Sequence, residues 1–207
     1  AIRADPTNAR FYASRAAKPD VVARYTLEVL HPFSLVAANP AGVDEATRSR
    51  AKQELERLFR FFPEGRSANL LAAKIAMVEG EPQRARERAE ACLSGFPEFA
   101  GCHEMLAEAL FAMEQPQEAA RSFRMALRQQ TVEGPDIPRI HRRLSECYGK
   151  MADPMAAFHH LETAAGGAMA EAATAEDLYE LGLAAERAGE RQPALRYMRY
   201  AVLKAPV

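Results

Sequence analysis

Alanine recurs in this sequence at nearly constant intervals, and each of these alanines lies within a similar pattern of small and apolar residues. The intervals are 34, 38 and 37 residues, and the alanines are Ala85, Ala119, Ala157 and Ala194. A second series keeps the same step earlier in each unit, at Ala72, Leu106, Leu144 and Leu181. Because periods of roughly 20–50 residues are typical of arrays of small structural units, the two series predict a chain of repeats.

Each unit has the pattern of two short amphipathic helices. After the alanine, small or apolar residues follow at i+4 and i+7, a spacing that places them on one face of a helix. Three units carry a proline three residues before the alanine, where it suits the first turn of a helix: Pro82, Pro116 and Pro154. Since runs of alternating β-branched and aromatic residues are hard to find, we expect an all-α chain with almost no strand.

This pattern resembles the tetratricopeptide repeat (TPR) family. The matching residues of the fourth unit are Leu178, Leu181, Gly182, Ala185, Gly189, Ala194, Met198, Ala201 and Pro206. The sequence departs from the family pattern at His103 and His141, which replace an aromatic residue, and at Glu114, which replaces the glycine between the helices. The resemblance implies a right-handed superhelical array of antiparallel helix pairs, an α-solenoid in which neighbouring units bury each other's apolar faces.

The period also predicts how the chain is divided. We expect a degenerate or elongated helical hairpin over residues 1–65, followed by four repeat units at 66–99, 100–137, 138–174 and 175–207. Extended loops in the second and third units account for their excess over the family's length. Within the first range, the sequence predicts a helix that ends near Leu30 and a second helix that begins after Asp44, with Asp44 as its cap.

Composition argues against several functional classes. The formal net charge is -1, so the chain lacks the basic excess typical of nucleic-acid binding. No apolar run approaches the roughly 20 residues needed to cross a bilayer, so membrane insertion is not expected, and both a cytoplasmic and a periplasmic location fit. The three cysteines, Cys92, Cys102 and Cys147, form no metal-ligand pairs. Their odd number makes a disulfide framework unlikely, and we interpret them as small packing residues.

Neither catalysis nor a cofactor is expected. His103 and Glu104 begin an H-E-x-x-H zinc motif, but Ala107 stands where its second histidine is required. His159 and His160 are adjacent, so on a helix they point about 100° apart and cannot share one face. The sequence therefore predicts a non-enzymatic chain without a metal site.

In the TPR family the leading helix of each unit lines a concave groove, so the resemblance implies a partner-binding surface. The candidate groove residues are Lys74, Met77, Glu104, Glu108, Phe111, Arg139, Arg142, Glu146, Lys150, Tyr179, Leu183 and Glu186. Exposed apolar and aromatic residues in a concavity are typical contact anchors, which favours Met77, Phe111 and Tyr179. The carboxylate-clamp type of groove is not expected, because Glu104 and Glu108 would repel an acidic chain end.

These features favour a non-catalytic protein–protein interaction scaffold that binds a peptide segment or helix of a partner protein. Two alternatives stay open. The chain could be an accessory TPR region of a larger, bacterial envelope or metallopeptidase-linked protein, since residues 141–161 faintly resemble the repeat tails of some bacterial zinc metallopeptidases. It could also be a self-assembling structural module, since the last unit lacks the polar terminal helix that usually caps such arrays.

Overall fold

A computed structural model of the protein describes residues 39, 41–60, 65–129, 136–166 and 173–205. Within these ranges the chain forms nine α-helices and no β-strand, which confirms the all-α prediction. The helices are α1 (Glu45–Phe59), α2 (Arg66–Val78), α3 (Pro82–Gly95), α4 (Ala100–Ala112), α5 (Pro116–Gln129), α6 (Asp136–Lys150), α7 (Pro154–Ala164), α8 (Ala175–Arg187) and α9 (Arg191–Lys204).

The helix predicted after Asp44 is present as α1. The Asp44 carboxylate caps it by accepting a hydrogen bond from the backbone N–H of Thr47 at 2.7 Å. Its inner face buries Ala51 and Leu55. The other predicted helix of this range, the one ending near Leu30, lies outside the described residues.

The backbone repeats one turn before every anchor alanine. Gly80, Glu114, Ala152 and Gly189 have φ angles of 73°, 58°, 57° and 81°, and each stands five residues before its alanine. At Gly80, Ala152 and Gly189, the N–H of the next residue donates to the carbonyl five residues earlier, at 2.9, 3.0 and 2.9 Å. A left-handed residue with this hydrogen bond ends one helix and redirects the chain. The sequence period is therefore matched by a period in backbone geometry.

The chain forms two compact units, residues 1–113 and 114–207. In the described part of the first unit, each helix packs against the next from α1 to α4. One core cluster joins α1 to α2 through Ala51, Leu55, Ala68, Leu71 and Ile75. A second joins α2, α3 and α4 through Ala73, Ala76, Ala85 and Ala109. Alanine dominates the second cluster because small side chains let helices approach closely.

A disulfide joins α3 to α4 through Cys92 and Cys102, whose Cα atoms are 6.3 Å apart. The interpretation of these two cysteines as simple packing residues is therefore wrong. An odd number of cysteines carries no information on which of them face each other, and the short turn between α3 and α4 brings these two together. Cys147 is buried and is not part of the disulfide.

The described part of the second unit also packs sequentially, from α5 to α9. Its main core lies between α7, α8 and α9 and consists of Phe158, Leu178, Leu181, Ala185, Ala194, Tyr197 and Ala201. At the closest approach of α8 and α9, a Cβ added to Gly182 would lie 2.7 Å from Met198 Cγ. The Tyr197 hydroxyl donates a hydrogen bond to the Glu162 carboxylate, which ties α9 to α7.

Candidate partner-binding site

A cavity of about 660 Å³ lies between α6, α7 and α8 in the second unit. Ligand sites in proteins typically have volumes of roughly 300–1,000 Å³. Its lining residues are Arg142, Ser145, Glu146 and Gly149 from α6, Ala152, Pro154, Ala157 and Leu161 from the following turn and α7, and Glu180, Leu183, Ala184 and Arg187 from α8. The α6 and α8 sets each follow an i, i+3, i+4, i+7 pattern, so each is one continuous helix face.

The floor of this cavity is made of short or apolar side chains. A Cβ added to Gly149 would meet nothing within 4 Å, so the space above it is open. Ala157 and Ala184 also leave room, while Leu161 and Leu183 supply larger apolar surface. Such a floor favours an apolar side chain of a ligand over a strongly charged one.

An ion pair joins the two helices that flank the cavity. Arg142 on α6 donates from Nη2 to Asp177 Oδ1 on α8 at 3.4 Å. Asp177 also forms the capping box of α8: its Oδ2 accepts from the Thr174 hydroxyl at 2.7 Å and from the Thr174 N–H at 3.0 Å. These hydrogen bonds, with a smaller contribution from Arg142, hold the pKa of Asp177 below its usual value. Asp177 is therefore ionised near neutral pH and balances the charge of Arg142.

The other charged residues that line the cavity differ in whether they have a hydrogen-bond or ion-pair partner. Glu146 accepts a hydrogen bond from Arg143 on its own helix at 2.7 Å. Within the described part of the chain, Glu180 and Arg187 form no ion pair. Both are exposed on α8. The rim therefore offers one carboxylate and one guanidinium for contact with a ligand.

Three of the residues predicted from the sequence lie together at this cavity: Arg142, Glu146 and Leu183. Lys150 is exposed near it and donates to Glu114 at 2.6 Å. Arg139 is exposed in the first turn of α6, outside the lining. For these two residues a contact with a partner stays a prediction.

Two further candidates lie on α8 but outside the cavity lining, Tyr179 and Glu186. The Tyr179 side chain is 53% exposed. The lining instead contains Glu180 and Arg187, each one residue further along the helix. The repeat register does not identify these two residues, because it assigns the same face of every leading helix to the groove. A cavity between two successive leading helices contacts opposite flanks of the two, so the face must shift from α6 to α8.

The candidate groove residues of the first unit are more buried than those of the second unit. Glu104 and Glu108 on α4 are buried, with 9% and 7% of their surfaces exposed. Met77 packs against the alanine-rich cluster of α2, α3 and α4. Lys74 and Phe111 are half-buried. These positions stay predictions as partner contacts, and burial makes the two glutamates less accessible than the sequence pattern indicates.

A pair of histidines joins α6 to α7. The Nδ1 atoms of His141 and His160 are 2.9 Å apart, and the Tyr148 ring stacks on His160 with centroids 5.3 Å apart. Burial lowers the pKa of both imidazoles. The sequence places His160 next to His159 only, whereas the contact of His160 is with His141 on the neighbouring helix.

The described residues lack two features that would point to other functions. No group of three or more histidine, cysteine or carboxylate side chains among them is arranged to hold a metal ion. No described helix has the length and apolarity needed to span a bilayer.

Comparison with known proteins identifies the fold. No protein-family model matches the sequence, and no curated protein does. A crystal structure of MamA matches with a TM-score of 0.65 at 21% identity, over 77% of this chain and 90% of that one. TTC0263, a TPR protein of Thermus thermophilus, matches with a TM-score of 0.56 at 20% identity, over 86% and 91%. YrrB, described as a TPR protein with an unusual peptide-binding site, matches with a TM-score of 0.64 at 16% identity, over 97% and 92%. The chain therefore has a TPR-like fold of the α-solenoid class.

Proposed function

We propose that this chain is a non-catalytic scaffold of the TPR family and that it binds a polypeptide segment of a partner protein in the cavity between α6, α7 and α8. The observation that carries the proposal is the cavity itself. Its volume suits a ligand, its floor is apolar, and its rim carries charges of both signs. Peptide recognition uses this combination, because pockets for side chains supply affinity and polar groups supply specificity.

Two other facts support the proposal. Several lining residues lie outside the hydrophobic core, so their side chains are available for contact. One structural neighbour, YrrB, is described as having a peptide-binding site. The shared fold of these proteins is compatible with different ligands, so the proposal depends on the cavity more than on the likeness.

The experiment uses a displayed library of random linear peptides as the probe. Peptides selected on the wild-type chain are labelled, and their affinities are measured by fluorescence anisotropy. Gly149→Trp should abolish binding, because a Cβ at this position has no neighbour within 4 Å and the indole attached to it would occupy part of the cavity. Gly149→Ala is the matched control and should bind like the wild type.

Circular dichroism establishes that both variants keep their helices. Peptides that bind Gly149→Trp as tightly as the wild type would place the binding surface elsewhere. A library that yields no binder at all would contradict the proposal.

Self-association is a second candidate function, and the exposed face of α9 favours it. Leu195, Val202 and Leu203 are 66%, 75% and 70% exposed. In the repeat register Leu195 corresponds to Phe158 on α7 and Val202 to Ala165, which directly follows α7, and both residues pack into the core shared with α8 and α9. The corresponding face of α9 is exposed among the described residues, and we propose that a second copy of this chain covers it.

Charge complementarity supports a second copy as the occupant. Helix α9 carries four basic residues and no acidic one: Arg191, Arg196, Arg199 and Lys204. Residues 151–190 contain eight acidic residues and one arginine, a formal charge of -7. Opposite charges on two regions of the same chain favour association between copies.

Light scattering and sedimentation over a range of concentrations test this candidate. The wild type should show a mass that rises with concentration, and Leu195→Glu with Val202→Glu should remain monomeric. Gln192→Glu, an exposed polar position on the same helix, is the control. A wild-type chain that stays monomeric at every concentration would exclude the interface.

A further inference from the structure

We infer that the cavity between α6, α7 and α8 selects an extended peptide segment with one cationic and one anionic side chain about three residues apart, separated by apolar residues. This inference rests on the proposed function, because it names the class of ligand for the same site. It follows from which charged residues of the rim already have partners and from how far apart the other two lie.

Two of the four charged residues that line the cavity already have partners. Arg142 donates a hydrogen bond to Asp177 of α8, and Glu146 accepts one from Arg143. A ligand that used Arg142 or Glu146 would have to compete with these contacts. Glu180 and Arg187 have no such competitor among the described residues, so they are the preferred contacts for charged groups of a ligand.

The spacing of these two residues along α8 sets the length of the ligand. Glu180 and Arg187 are seven residues apart on one helix face, which corresponds to about 10.5 Å along the axis of α8. Leu183 and Ala184 lie between them and form part of the apolar floor. The face therefore presents a carboxylate, then apolar surface, then a guanidinium, in that order along the helix.

The spacing also determines the conformation of the ligand. A segment in the polyproline II form of extended chain has three residues per turn and advances about 3.1 Å per residue, so side chains three residues apart lie on one face and span about 9 Å, close to the spacing of Glu180 and Arg187. A helical ligand would need about seven residues to span this distance, so a peptide whose charges are three residues apart reaches both groups only in the extended form.

We expect Glu180 and Arg187 to affect which peptide is preferred more than they affect the overall binding affinity. Ion pairs between exposed groups change affinity by roughly two- to fivefold each, and a like-charge contact changes it in the opposite direction. Because Glu180 and Arg187 are both exposed, we expect each to act in this range. Exchanging an attractive contact for a repulsive one should shift the relative affinity of two peptides by about fivefold.

Three labelled peptides with blocked ends and the same neutral flanks test the inference. Their central sequences are Lys-Leu-Ala-Glu, Lys-Leu-Ala-Lys and Glu-Leu-Ala-Glu. The wild type should prefer the mixed peptide. Glu180→Lys should prefer the peptide with two glutamates, and Arg187→Glu should prefer the peptide with two lysines. A reversal of preference requires a folded protein, so loss of structure cannot imitate it.

Glu118→Lys is the matched control, since Glu118 is an exposed acidic residue of α5 outside the cavity lining. It should keep the wild-type order of the three peptides. If the three bind equally well and Gly149→Trp abolishes their binding, the charge pattern is wrong and the proposed function stands. If none binds and the random library also yields no binder, the inference and the proposed function both fail.

Discussion

The residues in left-handed turns show how single positions set the energy of this fold. Glycine adopts a positive φ at no steric cost, whereas for other residues the conformation costs about 1–2 kcal/mol. Gly80 and Gly189 therefore suit their turns, while Glu114 and Ala152 occupy the same conformation with a Cβ present. At Glu114 and Ala152 the residue present is therefore less stabilising than glycine would be.

We predict that Ala152→Gly stabilises the protein. Removing the Cβ at φ 57° relieves the steric cost, and the added freedom of glycine in the unfolded chain offsets part of it. The net gain should be about 0.5–1 kcal/mol, measured by urea denaturation. Gly189→Ala should show the opposite change of about 1 kcal/mol. A lower urea midpoint for Ala152→Gly would contradict the turn geometry.

Two glycines within helices should respond in opposite ways to a larger side chain. Gly182→Leu should destabilise the protein by about 1–3 kcal/mol or more, because the new side chain would meet Met198 at the contact between α8 and α9. Gly149→Ala should stabilise it by up to about 1 kcal/mol, because the added methyl group faces open space and alanine favours a helix. Thermal unfolding of both variants provides the comparison. Equal effects would mean that the two helices do not approach at Gly182.

At the scale of the helices, the disulfide between Cys92 and Cys102 stabilises the contact of α3 with α4. The two cysteines are 10 residues apart, and closing a loop of this length should contribute about 2–3 kcal/mol. Urea unfolding with and without a reductant measures this difference. The double variant Cys92→Ser with Cys102→Ser should unfold as the reduced wild type does.

Cysteine counting provides the control for this experiment. The oxidised chain should show one reactive thiol after unfolding, that of Cys147, and the reduced chain should show three. Cys147→Ser should leave the effect of the reductant intact. Three thiols in the unfolded, unreduced chain would exclude the disulfide.

The histidine pair predicts a pH dependence of the contact between α6 and α7. Burial lowers the pKa of His141 and His160, and Arg124 and His159 further oppose protonation of His160. A lowered pKa means that the unfolded chain binds these protons more readily than the folded one. The stabilisation is therefore complete above the ordinary histidine pKa of about 6.5 and is lost as the pH falls below it.

Urea midpoints between pH 7 and pH 5 should decrease for the wild type. His141→Gln should flatten this dependence, because His160 then has no second imidazole to face. His159→Gln should flatten it less than His141→Gln does, because His159 is the smallest of the causes that lower the pKa of His160. The lowered pKa values of Asp44 and Asp177 affect stability in a separate pH range. The stabilisation that these two residues provide is lost only below the ordinary aspartate pKa of about 4. A flat wild-type profile would contradict the pairing of the imidazoles.

For the whole molecule, the fold class can be predicted from the sequence because every repeat has the same local pattern of small and apolar residues. Each unit spaces its small residues in the same way, and the turns before Ala85, Ala119, Ala157 and Ala194 repeat one backbone conformation. Features that depend on distant contacts are not encoded in the period. The division of the chain between Met113 and Glu114 falls inside the predicted repeat 100–137 and has no signature in the spacing.

The candidate site could be predicted only in part for the same reason. A repeat register identifies equivalent positions, so it groups Arg142, Glu146 and Leu183, which line one cavity. It cannot distinguish the two flanks of a helix that borders a cavity on one side only, so Glu180 and Arg187 were missed. Proximity of cysteines and histidines on neighbouring helices likewise depends on side-chain direction, which spacing alone does not provide.

The two sides of helix α8 lie in different environments. Leu178, Leu181 and Ala185 are buried in the core, while Glu180 and Arg187 are exposed at the cavity rim. Substitutions on the exposed side should therefore change the proposed ligand preference at little cost in folding. Under that proposal a lineage carrying this scaffold can acquire new partners through a few surface changes, and an engineer can retarget it by the same route.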